Sequence, residues 1–146
     1  MESTQSPAKK TPKLNLDFKD SKYATGRRKT SIAKIWLKKG SGKIYVNGKN
    51  YEDYFKRANH QMQLLRPFEI LNQSTSYDVR CNVKGGGLSG QVGAMVHGIS
   101  KVLVQMNPEN KSTLKKEKLT TRDSRAVERK KYGHKKARKS FQFSKR

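Results

Sequence analysis

Gly85, Gly87 and Gly90 satisfy the spacing G-x-G-x-x-G within Gly85-Gly86-Gly87-Leu88-Ser89-Gly90. The motif follows a run that reads as a strand and opens a run that reads as a helix, the setting in which such a turn grips a dinucleotide pyrophosphate. Two features argue against a nicotinamide site. The preceding strand has a polar face, and the chain offers no adequate set of further parallel strands. The underlying chemistry is more general. Consecutive glycines let backbone N–H groups approach a phosphate, and a helix amino terminus adds partial positive charge. An RNA phosphate therefore suits Gly85, Gly86 and Gly87 as well as a cofactor does; the alternative is that the glycines only permit tight packing of helix on strand.

A second constellation is Tyr23-Ala24-Thr25-Gly26-Arg27-Arg28-Lys29-Thr30. Arg27, Arg28 and Lys29 stand beside a glycine and two hydroxyls, which fits phosphate contact by guanidinium forks and hydroxyl donors. It lacks Walker-loop spacing, and the alternative to phosphate contact is a loop with incidental charge. A third is the basic tail. Arg129, Lys130, Lys131, Lys135, Lys136, Arg138, Lys139, Lys145 and Arg146 place nine cations in eighteen residues, with no acid beyond Glu128. Such a run repels itself and is expected to stay extended until an anion neutralises it. Tyr132, Phe141 and Phe143 interleave with these cations, an arrangement that stacks on bases while phosphates are neutralised.

Signals for catalysis are weak. His60, His97 and His134 have no metal-ligand spacing, and His97 falls inside a helical pattern where a packed or surface imidazole is the ordinary outcome. Cys81 alternates with Val79 and Val83 on the inward face of a strand and reads as a small buried hydrophobe. Trp36 reads as packing or a surface contact, and Ser144-Lys145-Arg146 is not the peroxisomal S-K-L signal. No catalytic residue, metal site or cofactor is assigned.

The elements that must position these groups are few. Thr30–Lys38 alternates Ala33, Ile35 and Leu37 with Lys34, Trp36 and Lys38, a half-buried strand. Gly40-Ser41-Gly42 turns the chain, and Ile44-Tyr45-Val46 is expected to return beside that strand as a hairpin, with a second turn at Asn47-Gly48. Asn50 is placed to cap a short helix through Phe55, with Glu52 and Asp53 in its first turn. Gln61–Leu65 can add a helical turn or two before Pro67 stops it. Tyr77–Val83 alternates as a third strand. After the glycines, Val92, Met95, Val96, Ile99, Val102, Leu103 and Met106 recur at helical spacing, the long helix whose stripe should cover the sheet. Pro108 ends it or begins a short successor, Lys111–Lys118 can be helical, and beyond Thr121 the pattern is irregular and basic. No internal repeat is detected.

Composition sets the class. Among 146 residues, 34 Lys and Arg face 11 Asp and Glu, a net charge of +23, of which twelve units lie in Lys111–Arg146. A small domain needs only about 2–8 for solubility, so the excess points to a polyanion partner. Leu, Ile, Val and Phe make 20 of the 74 residues from Ser31 to Val104, enough for a compact centre between polar flanks. One cysteine excludes a disulfide framework and any multi-cysteine zinc site. No apolar run approaches the roughly 18 residues of a membrane span, the amino-terminal stretch lacks a secretory apolar segment, and its acids argue against an organelle presequence. A soluble, intracellular protein is expected.

Three stretches together resemble the small-subunit ribosomal protein nine family, of bacterial and organellar type. They are Tyr23–Thr30; Gly85-Gly86-Gly87-Leu88-Ser89-Gly90-Gln91-Val92-Gly93-Ala94 with His97-Gly98-Ile99; and Thr121–Gly133, continuing through Lys136-Ala137-Arg138-Lys139 to Gln142–Arg146. Val102 departs from a family preference for a small residue, and Ser124 and Phe141 stand where many members have Pro.

The resemblance implies an α+β fold: a two-layer α/β sandwich of the ribosomal protein S-five domain-two-like kind, with a left-handed β-α-β unit and a long extended basic tail. It divides the chain into a flexible extension (1–22), a globular rRNA-binding domain (23–128) and the tail (129–146). It implies a non-enzymatic constituent of the ribosome, in a bacterial cytoplasm or a mitochondrial matrix. The partners would be the three-prime major domain of small-subunit rRNA and neighbouring head proteins, with Arg122 and Arg125 joining the cations above as RNA contacts. Ser144, Lys145 and Arg146 would meet the anticodon stem-loop of the P-site tRNA, and the fifteen residues from Tyr132 could span about 50 Å. A DNA-compacting protein and a small nucleotide-dependent enzyme are the competing readings.

Overall fold

The computed structural model describes residues 18–73 and 76–144. The order is β1 (Lys22–Arg28), β2 (Ser31–Lys39), β3 (Ile44–Val46), β4 (Lys49–Asn50), α1 (Tyr51–Tyr54), α2 (Ala58–Ile70), β5 (Tyr77–Lys84), α3 (Leu88–Met106) and α4 (Asn110–Lys116). The five strands form one sheet in the order β1-β2-β5-β3-β4. Only β3 and β5 run parallel, joined through α2; the other neighbours are antiparallel. Mixed α and β structure is thus as expected.

Alternation decides which face is covered. Ala33, Ile35 and Leu37 of β2, Ile44 and Val46 of β3, and Tyr77, Val79, Cys81 and Val83 of β5 are buried together with Val92, Met95, Ile99, Val102 and Leu103 of α3. Phe55, Leu64, Phe68 and Leu114 close the core. Burial pushes the Cys81 thiol well above its usual range, as its inward placement requires.

Two expectations fail here. Ile44–Val46 does not form a hairpin with β2, because β5 lies between them. Eight residue pairs join β2 to β5, whereas the three residues of β3 offer a shorter ladder and pair with β5 instead. The partner of β2 on its other side is β1, so Tyr23–Arg28 is a strand and only Lys29 and Thr30 make the turn, with Lys29 at φ 51°. The second failure is Pro67. It does not stop α2, which continues to Ile70. A proline inside a helix costs about 3 kcal/mol, and here the ring is buried with Leu64 and Phe68, which offsets part of that cost.

Other local readings hold. Asn47 (φ 50°) and Gly48 (φ 83°) make the β3–β4 turn, both left-handed as a two-residue hairpin prefers. The Asn47 side chain is already engaged: its Oδ1 accepts the Val83 N–H at 2.8 Å and its Nδ2 donates to the Val83 carbonyl at 3.1 Å. Asn50 occupies the cap position of α1, although its side chain makes no capping bond.

The position of α3 depends on small residues. A Cβ on Gly26 of β1 would overlap the Ala94 carbonyl oxygen of α3 and stand 2.5 Å from the Gly98 nitrogen. A Cβ on Gly98 would meet Ile35 Cδ1 at 2.6 Å and the Gly26 nitrogen at 3.0 Å. Helix and edge strand therefore touch backbone to backbone. Gly26→Ala is expected to lower the unfolding free energy by about 3 kcal/mol or more. Gly87→Ala, where a Cβ would meet nothing within 4 Å, should lose about 1 kcal/mol or less. Urea unfolding of the two variants checks this, and equal losses would refute the contact's role.

Candidate nucleic-acid interface

The glycine turn is built by packing first. Gly85 (φ 74°) and Gly86 (φ 63°) take left-handed conformations that side chains resist. A Cβ on Gly86 would overlap Ser31 Oγ, and one on Gly90 would stand 2.8 Å from the same atom. Ser31 Oγ donates to the Gly85 carbonyl at 3.0 Å, and Gln91 Nε2 donates to it at 3.2 Å. The packing alternative thus accounts for Gly85, Gly86 and Gly90.

Gly87 is different. It opens α3 with no side-chain cap, and the first backbone bond there runs from the Gln91 N–H to the Gly87 carbonyl at 2.9 Å. An open cleft of about 420 Å³ lies beside it, lined by Lys29, Arg57, His60, Gly87, Leu88, Ser89 and Gly90. Two cations and the start of a 19-residue helix give this cleft a positive potential suited to a phosphate oxygen. His60 faces Ser89 Oγ at 3.2 Å. The dinucleotide reading loses its scaffold, since α3 leads into α4 and no further strand follows among the described residues.

Next to Lys29, at the end of β1, Arg28 lies along α3; a Cβ on Gly93 would come within 2.9 Å of its Cγ. Its guanidinium pairs with Asp123 at the root of the tail. Asp123 also accepts from Arg125 Nε (3.1 Å) and Nη2 (2.8 Å) and from the Arg125 N–H at 2.9 Å. The Arg125 side-chain bonds, reinforced by its N–H and by Arg28, hold the Asp123 carboxyl far below the usual carboxylate range. Nearby, His97 Nδ1 accepts the Arg27 N–H at 3.4 Å, and Lys101 Nζ donates to the Thr25 carbonyl at 3.1 Å. Burial, with Lys101 and Arg122 adding repulsion, lowers the His97 pKa, so the imidazole is kept neutral as an acceptor.

Beyond Thr120 the described chain has no helix or strand, only an isolated bridge between His134 and Ser140. It is not extended throughout. Gly133 turns at φ 70°, the Lys135 N–H donates to the Lys139 carbonyl at 2.7 Å, and Arg138 grips Glu128 through Nε (3.0 Å) and Nη2 (2.7 Å). One carboxylate thus offsets enough repulsion to curl the segment. Arg129, Lys130, Lys131, Tyr132, Gly133, His134 and Phe141 line the resulting shallow hollow of about 270 Å³. Tyr132 and Phe143 are almost wholly exposed.

The sequence-derived cations therefore divide into two groups. Arg28, Arg125 and Arg138 are ion-paired within the chain. Arg27, Lys29, Arg122, Arg129, Lys130, Lys131, Lys135, Lys136 and Lys139 are exposed, as is Ser144; Lys145 and Arg146 lie outside the described residues. The structure brings Arg27–Lys29 to the root of the tail through Arg28 and Asp123, whereas of these cations only Lys29 lines the cleft at Gly87. Sequence reasoning missed Arg57, Lys101 and Asp123. Asp123 alone carried a signal, as an acid inside a basic stretch. Among the described residues no group of His, Cys, Asp or Glu could hold a metal ion, and no helix is long and apolar enough to cross a membrane.

Arg125→Ala should return the Asp123 titration towards the ordinary aspartate value of 3.8, followed by carboxyl-carbon NMR. Because the native pKa is lowered, the stabilisation from this carboxylate is complete above the unfolded pKa and disappears as pH falls through the native one. An unaltered titration in the variant would remove Arg125 as the cause.

A family model described as ribosomal protein S9/S16 matches residues 26–146. The small ribosomal subunit protein uS9 of Rickettsia felis is 52% identical over 140 residues, covering 96% of this chain and 87% of the relative. Its namesake from Rickettsia bellii is 50% identical over 137 residues, covering 94% and 84%.

Proposed function

The chain belongs to the ribosomal protein S9/S16 family, as a structural component of the small ribosomal subunit and not an enzyme, and from that premise we propose that it binds small-subunit rRNA in the subunit head and reaches P-site tRNA with its tail. The observation that carries this reading is the exposed cationic arm beyond Glu128, in which Arg138 alone of the described arginines and lysines forms an ion pair. Phosphates supply the missing counter-charge.

In this reading the body (23–128) docks on the three-prime major domain through Arg27, Lys29, Arg122 and the cleft at Gly87, while Arg28 and Arg125 hold Asp123 and so fix where the arm departs. Gly85 and Gly86 set the backbone that presents Gly87. Arg129, Lys130, Lys131, Lys135, Lys136, Arg138 and Lys139 neutralise phosphates, and Tyr132, Phe141 and Phe143 stack on bases or riboses. Ser144, Lys145 and Arg146 contact the anticodon stem-loop. The 1–22 extension lies ahead of this body, and neighbouring head proteins complete its surroundings. The β3–α2–β5 unit is read as the left-handed β-α-β crossover of the S-five domain-two-like architecture. The protein acts on the ribosome, in a bacterial cytoplasm or a mitochondrial matrix.

Deleting Lys145 and Arg146 should speed tRNA dissociation from the P site of reconstituted subunits while leaving subunit assembly intact. Unchanged dissociation would reject that contact. Binding of the full chain to rRNA fragments should fall with salt by roughly 0.7 log units per log unit for each single-strand phosphate engaged. Alanine at Lys130, Lys131, Lys135 and Lys136 should flatten that slope, and a slope indifferent to these changes would exclude the arm as the main contact.

A further inference from the structure

The sheet has a second face, turned away from α3, whose side chains remain exposed or half-buried. Strand register puts Tyr23 opposite Trp36, Trp36 opposite Arg80 and Arg80 opposite Tyr45, a single row across β1, β2, β5 and β3. The Tyr23 and Trp36 rings lie 5.3 Å apart at 43°, and the Arg80 guanidinium is 5.9 Å from the Trp36 ring centre. Tyr23 is 44% exposed although it is a large aromatic in a strand.

Charge surrounds this row. Lys34 and Lys38 flank Trp36 at two-residue steps on β2, about 7 Å to either side; Lys38 is engaged, its ammonium 5.1 Å from the centre of the Phe18 ring and its charge felt by Asp78, and Lys84 extends the line of Arg80 on β5. The only carboxylate among the strand residues is Asp78. Its Oδ1 accepts the N–H groups of Ser41 (2.8 Å) and Lys43 (3.0 Å) and the Ser41 hydroxyl (3.3 Å), so it serves the β2–β3 connection. A face that pairs stacking rings with an excess of cations complements a nucleic acid strand, whose bases have flat apolar faces and whose backbone is anionic.

We propose that this sheet face is a second RNA-binding surface, on which an unpaired nucleotide lies against Tyr23 and Trp36 while Arg80 and Lys34 hold the flanking phosphates. It rests on the RNA partnership proposed above but needs neither the tail nor the glycine turn. Rings and cations act together: stacking fixes the base, and Lys34 beside it on β2 with Arg80 across on β5 holds the backbone.

Trp36 is the chain's only tryptophan, so its emission reports on this face. The full chain is titrated with a short oligoadenylate, following Trp36 emission and, with a labelled copy, anisotropy. Quenching of Trp36 at saturation is expected, and it should persist when Lys130, Lys131, Lys135 and Lys136 are alanine. Tyr23→Ala and Arg80→Ala, checked for native circular dichroism, should each shift the quenching midpoint about tenfold. Heparin, a polyanion without bases, should not quench. Binding seen by anisotropy with Trp36 unmoved, or equal quenching by heparin, would overturn this inference and leave the RNA-binding reading standing. No binding by anisotropy would overturn both. In assembled subunits, photo-cross-links from Trp36 to rRNA would support the proposal, and cross-links to a neighbouring protein would refute it.

Discussion

The backbone contact between β1 and α3 at Gly26, Ala94 and Gly98 is the constraint on which the remaining arrangement depends. A side chain on Gly26 or Gly98 would push the helix off the edge strand. With the two in contact, Lys101 reaches the Thr25 carbonyl, His97 meets the Arg27 N–H, and Arg28 lies flat along Gly93. The start of α3 is then fixed beside the Lys29 turn, and the apolar stripe of the helix closes the core over β2 and β5. A packing requirement inside the fold thereby determines where its basic surface stands.

Electrostatics sets the second constraint. A chain with a net charge of +23 resists compaction through self-repulsion. The fold meets this by confining most apolar residues to one layer and by using scarce acids at decisive points. Asp123 joins Arg28 to Arg125 and ties the root of the tail to the sheet; Glu128 curls the tail by holding Arg138. The Arg28–Asp123 pair is half-buried, whereas Arg125 and the Arg138–Glu128 pair are exposed, where such contacts contribute little to stability. Their role is directional, since they set where a cationic arm leaves the body, while the described cations beyond Glu128 other than Arg138 form no ion pair within the chain.

Much of this was legible in the residues. The alternation of β2 and β5 and the helical stripe of α3 are strong periodic signals, because each depends on one buried face. Tertiary choices were not legible. Nothing local says that β5 intervenes between β2 and β3, since strand order is decided by ladder length and by the α2 crossover. Tyr23–Arg28 looked like a loop because Gly26 and a run of cations mask its alternation, and the reason for Gly26 lies in a helix some seventy residues away. Pro67 misled because its burial with Leu64 and Phe68 offsets part of a local cost that sequence alone shows in full. At the candidate site, residue types identified the cations, whereas the three-dimensional fold revealed which are paired: Arg28 with Asp123 is a contact across 95 residues.

The most direct test of the account is chemical footprinting of lysines by acetylation and mass spectrometry, comparing the free chain with the same chain in assembled small subunits. If the arm and the β1–β2 turn are embedded among phosphates, Lys29, Lys130, Lys131, Lys135, Lys136 and Lys139 become strongly protected on assembly. Equal reactivity of these lysines in the free chain and in the subunit would contradict it.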